Sequence, residues 1–195
     1  QEMLERAVDA SFNCITVDCE TSTNDVVLLL ANGASGAAAS TAEDRKALQG
    51  AIETVCLALA HAIVRDGEGA TKFITVRVTG AADDQQARRA AFAVADSNLV
   101  KTALFGQDPN WGRIVSAAGA CGVAMRPEGV RVALNGVESF GGGIFNPKWR
   151  EALAGSLDGP EVRIELDLGV AAGASTVWTC DLSYEYVRIN AEYHT

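Results

Sequence analysis

Glu68 stands between Gly67 and Gly69 in the stretch RDGEGATKFITV, residues 65 to 76. The glycines serve a turn, because each takes a positive φ without steric cost. The turn has no need of a carboxylate between them. Glu68 is therefore either a solvated turn residue, as most charged loop residues are, or an acid held out to meet a cation. A second group of interest closes the chain, in YEYVRINAEYHT. Chain ends fray unless something docks them, and Tyr186, Val187, Ile189 and Tyr193 supply apolar surface for docking. Asn190 would then be a fixed amide, and Thr195 would present a hydroxyl and a free carboxylate. Fixed polar groups of this kind suit ligand contacts.

Other capable side chains have plainer readings. Asp108, Asn110, Trp111 and Arg113 gather in FGQDPNWGR, but Asp108 before Pro109 is a good helix start and Trp111 a good core plug. The glycines at 141 to 143 lack the strand-to-helix setting of a phosphate loop and read as a flexible loop. The STND run at 22 to 25 has hydroxyls but no His or Lys beside them to activate a nucleophile. His61 falls in a helix between alanines as a surface or packing residue, and with His194 it forms no Ser-His or Cys-His set. Cys14, Cys19, Cys56, Cys121 and Cys180 are odd in number with no CxxC. They read as buried reduced thiols of a cytosolic protein, and no metal site is expected.

The elements that must hold these groups follow from periodicity. Residues 2 to 10 have the spacing of a helix end. Two β-rich runs, 14 to 19 and 26 to 31, follow; the second is apolar throughout and reads as a strand buried on both faces. Ser40 with Glu43 makes a capping box for the next helix. Ala47, Leu48, Ala51, Ile52, Val55, Cys56, Leu59, Ala62 and Ile63 recur at helical spacing up to the Gly67 stop. Strict alternation over TKFITVRVTG puts Phe73, Thr75, Arg77 and Thr79 on one face of a strand and Ile74, Val76 and Val78 on the other. Residues 83 to 104 read as one amphipathic helix and 111 to 120 as another. Beyond 129 come a hairpin at Asn135-Gly136, a short helix in NPKWREALAG, and strands in EVRIELDLG and STVWTCDLS. This pattern predicts an α+β layered sandwich, long helices on mixed sheets. It reads as regions 1–128 and 129–195, either parts of one domain or two domains with a boundary near 126 to 129.

Composition narrows the function classes. The 195 residues are 48% hydrophobic and 21% charged, with a net charge of −9, an ordinary globular balance. Nucleic-acid binding works through clustered cations, which this chain lacks. No segment reads as a signal peptide or as long enough to span a bilayer.

Taken together and in order, SFNCITVDCETSTND, IVRDGEGATKF, FGQDPNWGRI and CDLSYEYVRINAEYHT resemble the β chain of glutamate N-acetyltransferase, also called ornithine acetyltransferase. The resemblance runs from about residue 7 to the end and implies an ornithine-acetyltransferase-like fold. It implies a precursor that cuts itself before a threonine, leaving an α and a β chain associated in a cytoplasmic α2β2 heterotetramer. The new N-terminal Thr would carry an acetyl group from N-acetylornithine to glutamate in arginine biosynthesis, releasing ornithine. No metal or cofactor is implied, although some members accept acetyl-CoA as donor. By the same resemblance Glu68, Asn190 and Thr195 are substrate-binding residues. The nucleophilic Thr is expected upstream of Gln1, so no catalytic residue is expected within this chain. Two alternatives remain open: an amidohydrolase or aminopeptidase of similar self-processed architecture, and a non-catalytic amino-acid-binding subunit.

Overall fold

The computed structural model describes residues 1–145 and 147–193. Its strands, in chain order, are β1 (Phe73–Ala81), β2 (Arg131–Leu134), β3 (Val137–Gly141), β4 (Ile144–Phe145), β5 (Glu161–Asp167) and β6 (Gly173–Cys180). The helices are α1 (Glu2–Asp9), α2 (Ala42–Arg65), α3 (Asp84–Ala95), α4 (Asn98–Phe105), α5 (Trp111–Ala120), α6 (Trp149–Ala152) and α7 (Tyr184–Glu192). All six strands form one sheet in the order β4-β3-β2-β5-β1-β6. It is mixed: β1 runs parallel to β5, and the other pairings are antiparallel. The α+β class expected from the sequence is the one observed.

The alternation in β1 decides which face is wet. Ile74, Val76 and Val78 are buried, and they share a core with Val132, Leu134, Ile164, Leu166 and Val177 from the neighbouring strands. Ala87, Ala90, Ala91 and Val94 of α3 and Ile114 and Ala118 of α5 cover that core. Three alanines on α3 let its backbone lie close to the sheet without leaving voids. On the opposite face Thr75, Arg77 and Arg163 are wholly or partly exposed. β2 turns into β3 through Asn135 at φ 48° and Gly136 at φ 80°. Two left-handed residues in a two-residue loop match the twist of a hairpin, as the Asn-Gly pair predicts.

Helix α2 has the expected extent, with a capping box one residue along from the expected one. Thr41 accepts the Asp44 N–H, and the Asp44 carboxylate accepts the Thr41 N–H. Its packing departs from expectation. Only Ile52, Cys56, Ala60 and Val64 are buried, against Ala7 of α1 and against Phe73 and Cys180 of the sheet. Leu48, Val55, Leu59 and Ile63 are open to solvent. By length and composition α2 could cross a membrane, contrary to the sequence reading that no segment could. Its buried stripe packs on the chain's own elements, and its remaining apolar face has no cover among the described residues.

Three further expectations are corrected. Residues 26–31 form no strand: Val26 and Leu28 are 72% exposed and Leu30 88%. An apolar run signals burial but cannot name the strand that would pair with it. Of residues 14 to 19, only Ile15 bridges to the sheet, beside Trp178. The helix expected over 83 to 104 is two helices, because Ser97 accepts the Val100 N–H and starts α4 afresh.

Candidate functional site

The Glu68 turn is held from three sides. Helix α2 ends at Arg65, and the Ala70 N–H donates to the Gly67 carbonyl at 3.0 Å to close the turn. The buried Asp181 carboxylate accepts the N–H groups of Thr71 and Lys72, each at 2.8 Å, and the Thr71 hydroxyl at 2.5 Å. The Ser183 hydroxyl donates to the Gly69 carbonyl at 2.6 Å and accepts the N–H groups of Glu185 and Tyr186. One side chain thus caps α7 and clips it to the turn. Gly69 has φ +65°, and a Cβ there would lie 2.6 Å from the Tyr186 nitrogen. Gly69→Ala should therefore push α7 off the turn. We expect a destabilisation of about 2 kcal/mol from strain and clash, read by thermal melting; an unchanged melting temperature would disprove this close approach.

That clip brings together two of the three substrate-binding residues that the family resemblance implies. Asn190 Nδ2 donates to Glu68 Oε2 at 2.6 Å across 122 positions of sequence. The same nitrogen donates to the Tyr186 carbonyl at 3.0 Å. Both amide protons are thereby engaged, which leaves the Asn190 carbonyl oxygen and Glu68 Oε1 to accept from a ligand. Both residues are exposed, and among the described residues no ion pair includes Glu68. A carboxylate and an amide oxygen side by side, with no cation of their own, suit an ammonium group. Thr195 lies outside the described residues.

Tyr186 sits between these parts. Its hydroxyl donates to Asp18 Oδ2 at 3.1 Å. Burial first, then the bond to Asp18 and the charges of Asp18, Glu68 and Glu20, push its pKa up to about 12, so it stays a neutral donor. Docking of α7 is polar rather than apolar, contrary to expectation: Val187 is 61% and Tyr193 72% exposed, and no residue of α7 is buried.

The other candidates have structural places. Asn110 caps α5 by accepting the Arg113 N–H, Asp108 accepts the Asn110 amide, and Trp111 stacks on Phe140. His61 packs edge-on between Phe73 and Trp178; burial, with Arg65 nearby, holds its pKa down. In the STND run Ser22 accepts the N–H groups of Asn24 and Asp25, a local turn. Gly142 and Gly143 make the tight turn between β3 and β4. Cys14, Cys56 and Cys180 are buried as expected, but Cys121 is only half-buried and Cys19 is exposed. Partial desolvation of its sulfur and the neighbouring Asp96 push the Cys19 thiol up to about 11, far from a reactive thiolate. Among the described residues no His, Cys, Asp and Glu cluster could hold a metal ion. A depression of about 440 Å³ lies on the open sheet face by Thr75, Asn135, Arg163 and Glu165; neither Glu68 nor Asn190 lines it.

Asp18, Asp181 and Ser183 were not foreseen as parts of this site, and Tyr186 was foreseen only as apolar docking surface. Ser183 just ahead of YEYVRINAE carries a helix-start signal. Nothing local marks Asp18 or Asp181, whose partners are distant in sequence.

The chain is 47% identical over 196 residues to the "Arginine biosynthesis bifunctional protein ArgJ" of Ruegeria pomeroyi, covering all of this chain and 47% of that protein. It is 49% identical over 202 residues to the "Glutamate N-acetyltransferase" of Methanopyrus kandleri, covering all of this chain and 51% of that one. It therefore spans about half the length of these curated relatives. A crystal structure of the arginine biosynthesis bifunctional protein ArgJ from Bacillus halodurans superposes with a TM-score of 0.92 at 41% identity. That match covers 99% of this chain and 92% of the solved one. The model of the ArgJ family matches residues 1–195, and the chain belongs to that family.

Proposed function

We propose that this chain is the β subunit of a self-processed acetyltransferase that moves an acetyl group from N-acetylornithine to glutamate. The nucleophile is a threonine upstream of Gln1, freed by autocatalytic cleavage. Its α-amine takes the proton as its hydroxyl attacks the acetyl carbonyl. The amide C–N bond breaks, the proton passes to the departing nitrogen, and ornithine leaves. The amine of glutamate then attacks the acetyl ester, forms N-acetylglutamate and returns the threonine hydroxyl. Glu68 and Asn190 bind the amino-acid substrate, Glu68 through its ammonium, and Thr195 contributes from the chain end. No cofactor takes part, although acetyl-CoA serves as donor in some relatives. The setting is the cytoplasm.

The observation that carries this reading is the Asn190–Glu68 hydrogen bond. It joins two residues to which the family resemblance assigns one role. The names of the relatives support acetyl transfer in arginine biosynthesis. A two-chain assembly, with an α chain from the same precursor and an α2β2 heterotetramer as its form, has separate support. This chain covers 92% of the solved Bacillus halodurans chain but about half of each curated relative. The bare apolar surface of residues 26–30 and α2 also favours a cover from a partner chain.

Intact mass of the assembled full-length protein, before and after N-acetylornithine, tests the chemistry. We expect one chain of the pair to gain a single acetyl group and to lose it on adding glutamate. Free acetate in place of N-acetylglutamate would indicate a hydrolase. A complete assembly that never gains the acetyl group would sink the transferase reading. For the assembly, Leu28→Ser with Leu30→Ser should leave this chain's own stability within about 0.5 kcal/mol, as expected for exposed positions. Co-purification of the α chain should fall sharply, and retained association would exclude this surface from the interface.

A further inference from the structure

Resting on that reading of the Glu68–Asn190 site, we propose that Tyr186, through its hydrogen bond to Asp18, is a positioning residue for substrate binding. Three contacts place it there. Its hydroxyl donates to Asp18 at 3.1 Å, its carbonyl accepts the second proton of the Asn190 amide at 3.0 Å, and its N–H is capped by Ser183, which holds Gly69. Asn190 sits one turn further along the same helix. The rotation of α7 about its axis therefore decides whether that amide reaches Glu68.

Asp18 is a firm anchor because the segment before it is tied down residue by residue. The Thr16 N–H donates to the Trp178 carbonyl at 3.0 Å, and the Thr16 hydroxyl donates to Asp96 at 2.6 Å. The Val17 carbonyl accepts from the buried Lys101 ammonium at 2.7 Å. Lys101 uses its remaining donors on the Cys180 carbonyl at 2.6 Å and the Thr179 hydroxyl at 2.9 Å. All three protons of a buried cation thus bind 17 to the end of β6. Asp18 itself accepts the Glu20 N–H at 3.1 Å on its other oxygen. The strap is fixed and α7 is loosely packed, so the Tyr186 hydroxyl steadies the helix against the strap.

The test uses the full-length, assembled enzyme and its kinetics with N-acetylornithine. Tyr186→Phe should raise KM about three- to tenfold, the worth of one hydrogen bond, with kcat and melting temperature unchanged. Asp18→Ala should do the same. Asp18→Asn, which keeps an acceptor for the phenol, should recover most of the affinity that alanine loses. In an Asn190→Ala background the Tyr186→Phe effect should shrink towards nothing, since the amide that Tyr186 positions is then gone. Unchanged KM in Tyr186→Phe overturns the proposal. So does an Asp18→Asn protein as impaired as Asp18→Ala, because the carboxylate charge would then act on the substrate directly. A Glu68→Gln enzyme with unaltered kinetics overturns the site reading itself, and is told apart from both by its own single-variant data.

Discussion

A Glu68→Gln enzyme should lose about ten- to a hundredfold in kcat/KM with N-acetylornithine. The range is that of one hydrogen bond to a charged group, about 1.5–3 kcal/mol. Glutamine keeps the length of the side chain and an oxygen to accept the Asn190 amide, so the link between the turn and α7 survives. What disappears is the negative charge, which has no cation of its own among the described residues. The loss should therefore fall on KM for the ammonium-bearing substrate, with melting temperature unaffected. Steady-state kinetics beside a thermal melt separates the two. Unchanged kinetics in a folded protein would remove Glu68 from the substrate site.

The largest stability effect is expected at Asp181, which is 2% exposed. One of its oxygens accepts two backbone N–H groups and the other the Thr71 hydroxyl. Asp181→Ala would leave those donors without this partner, the Lys72 N–H in a buried place and the two Thr71 groups part-buried. Stranded donors cost about 1–3 kcal/mol each, so a loss of about 3–5 kcal/mol is expected. For a chain of this size that is a fall of about 10–15 °C in melting temperature. Asp181→Asn keeps the oxygen that serves both N–H groups and should recover most of the loss. An alanine variant that melts within about 2 °C of the parent would mean that water replaces the carboxylate there.

The periodic elements could be read from residues 42–65 and 73–81, where helical and alternating patterns are unbroken. The same signal misled at Leu48, Val55, Leu59, Ile63 and the 26–31 run. Apolarity says that a side chain avoids water, but not whether its cover comes from the same chain. The break at Ser97 hid inside a continuous amphipathic pattern because one capping hydroxyl outweighed it. Glu68 was legible as an oddity, an acid with no duty in its turn. Its pairing with Asn190 was not, since a bond across 122 positions depends on where the sheet puts both ends. The resemblance supplied both residues, and the geometry supplies their contact. Asp18 and Asp181 had no local signature at all, because each works on partners brought by tertiary structure.

The place of β1 in the sheet has a consequence for how the protein is made. Its two neighbours, β5 and β6, both come far downstream of it in sequence, and α7 follows them. The Glu68 turn therefore leaves the ribosome long before the strands that flank β1 or the helix that carries Asn190. Closing such distant pairings is the slow step of folding in topologies of this kind. Until it happens, the edges of β1 and its apolar face stay open to wrong partners. Translation must run through α7 before the turn meets its amide. The contact between Glu68 and Asn190 can then form only after β5, β6 and α7 have all been made, and a chain stopped short of β6 leaves an edge of β1 unpaired.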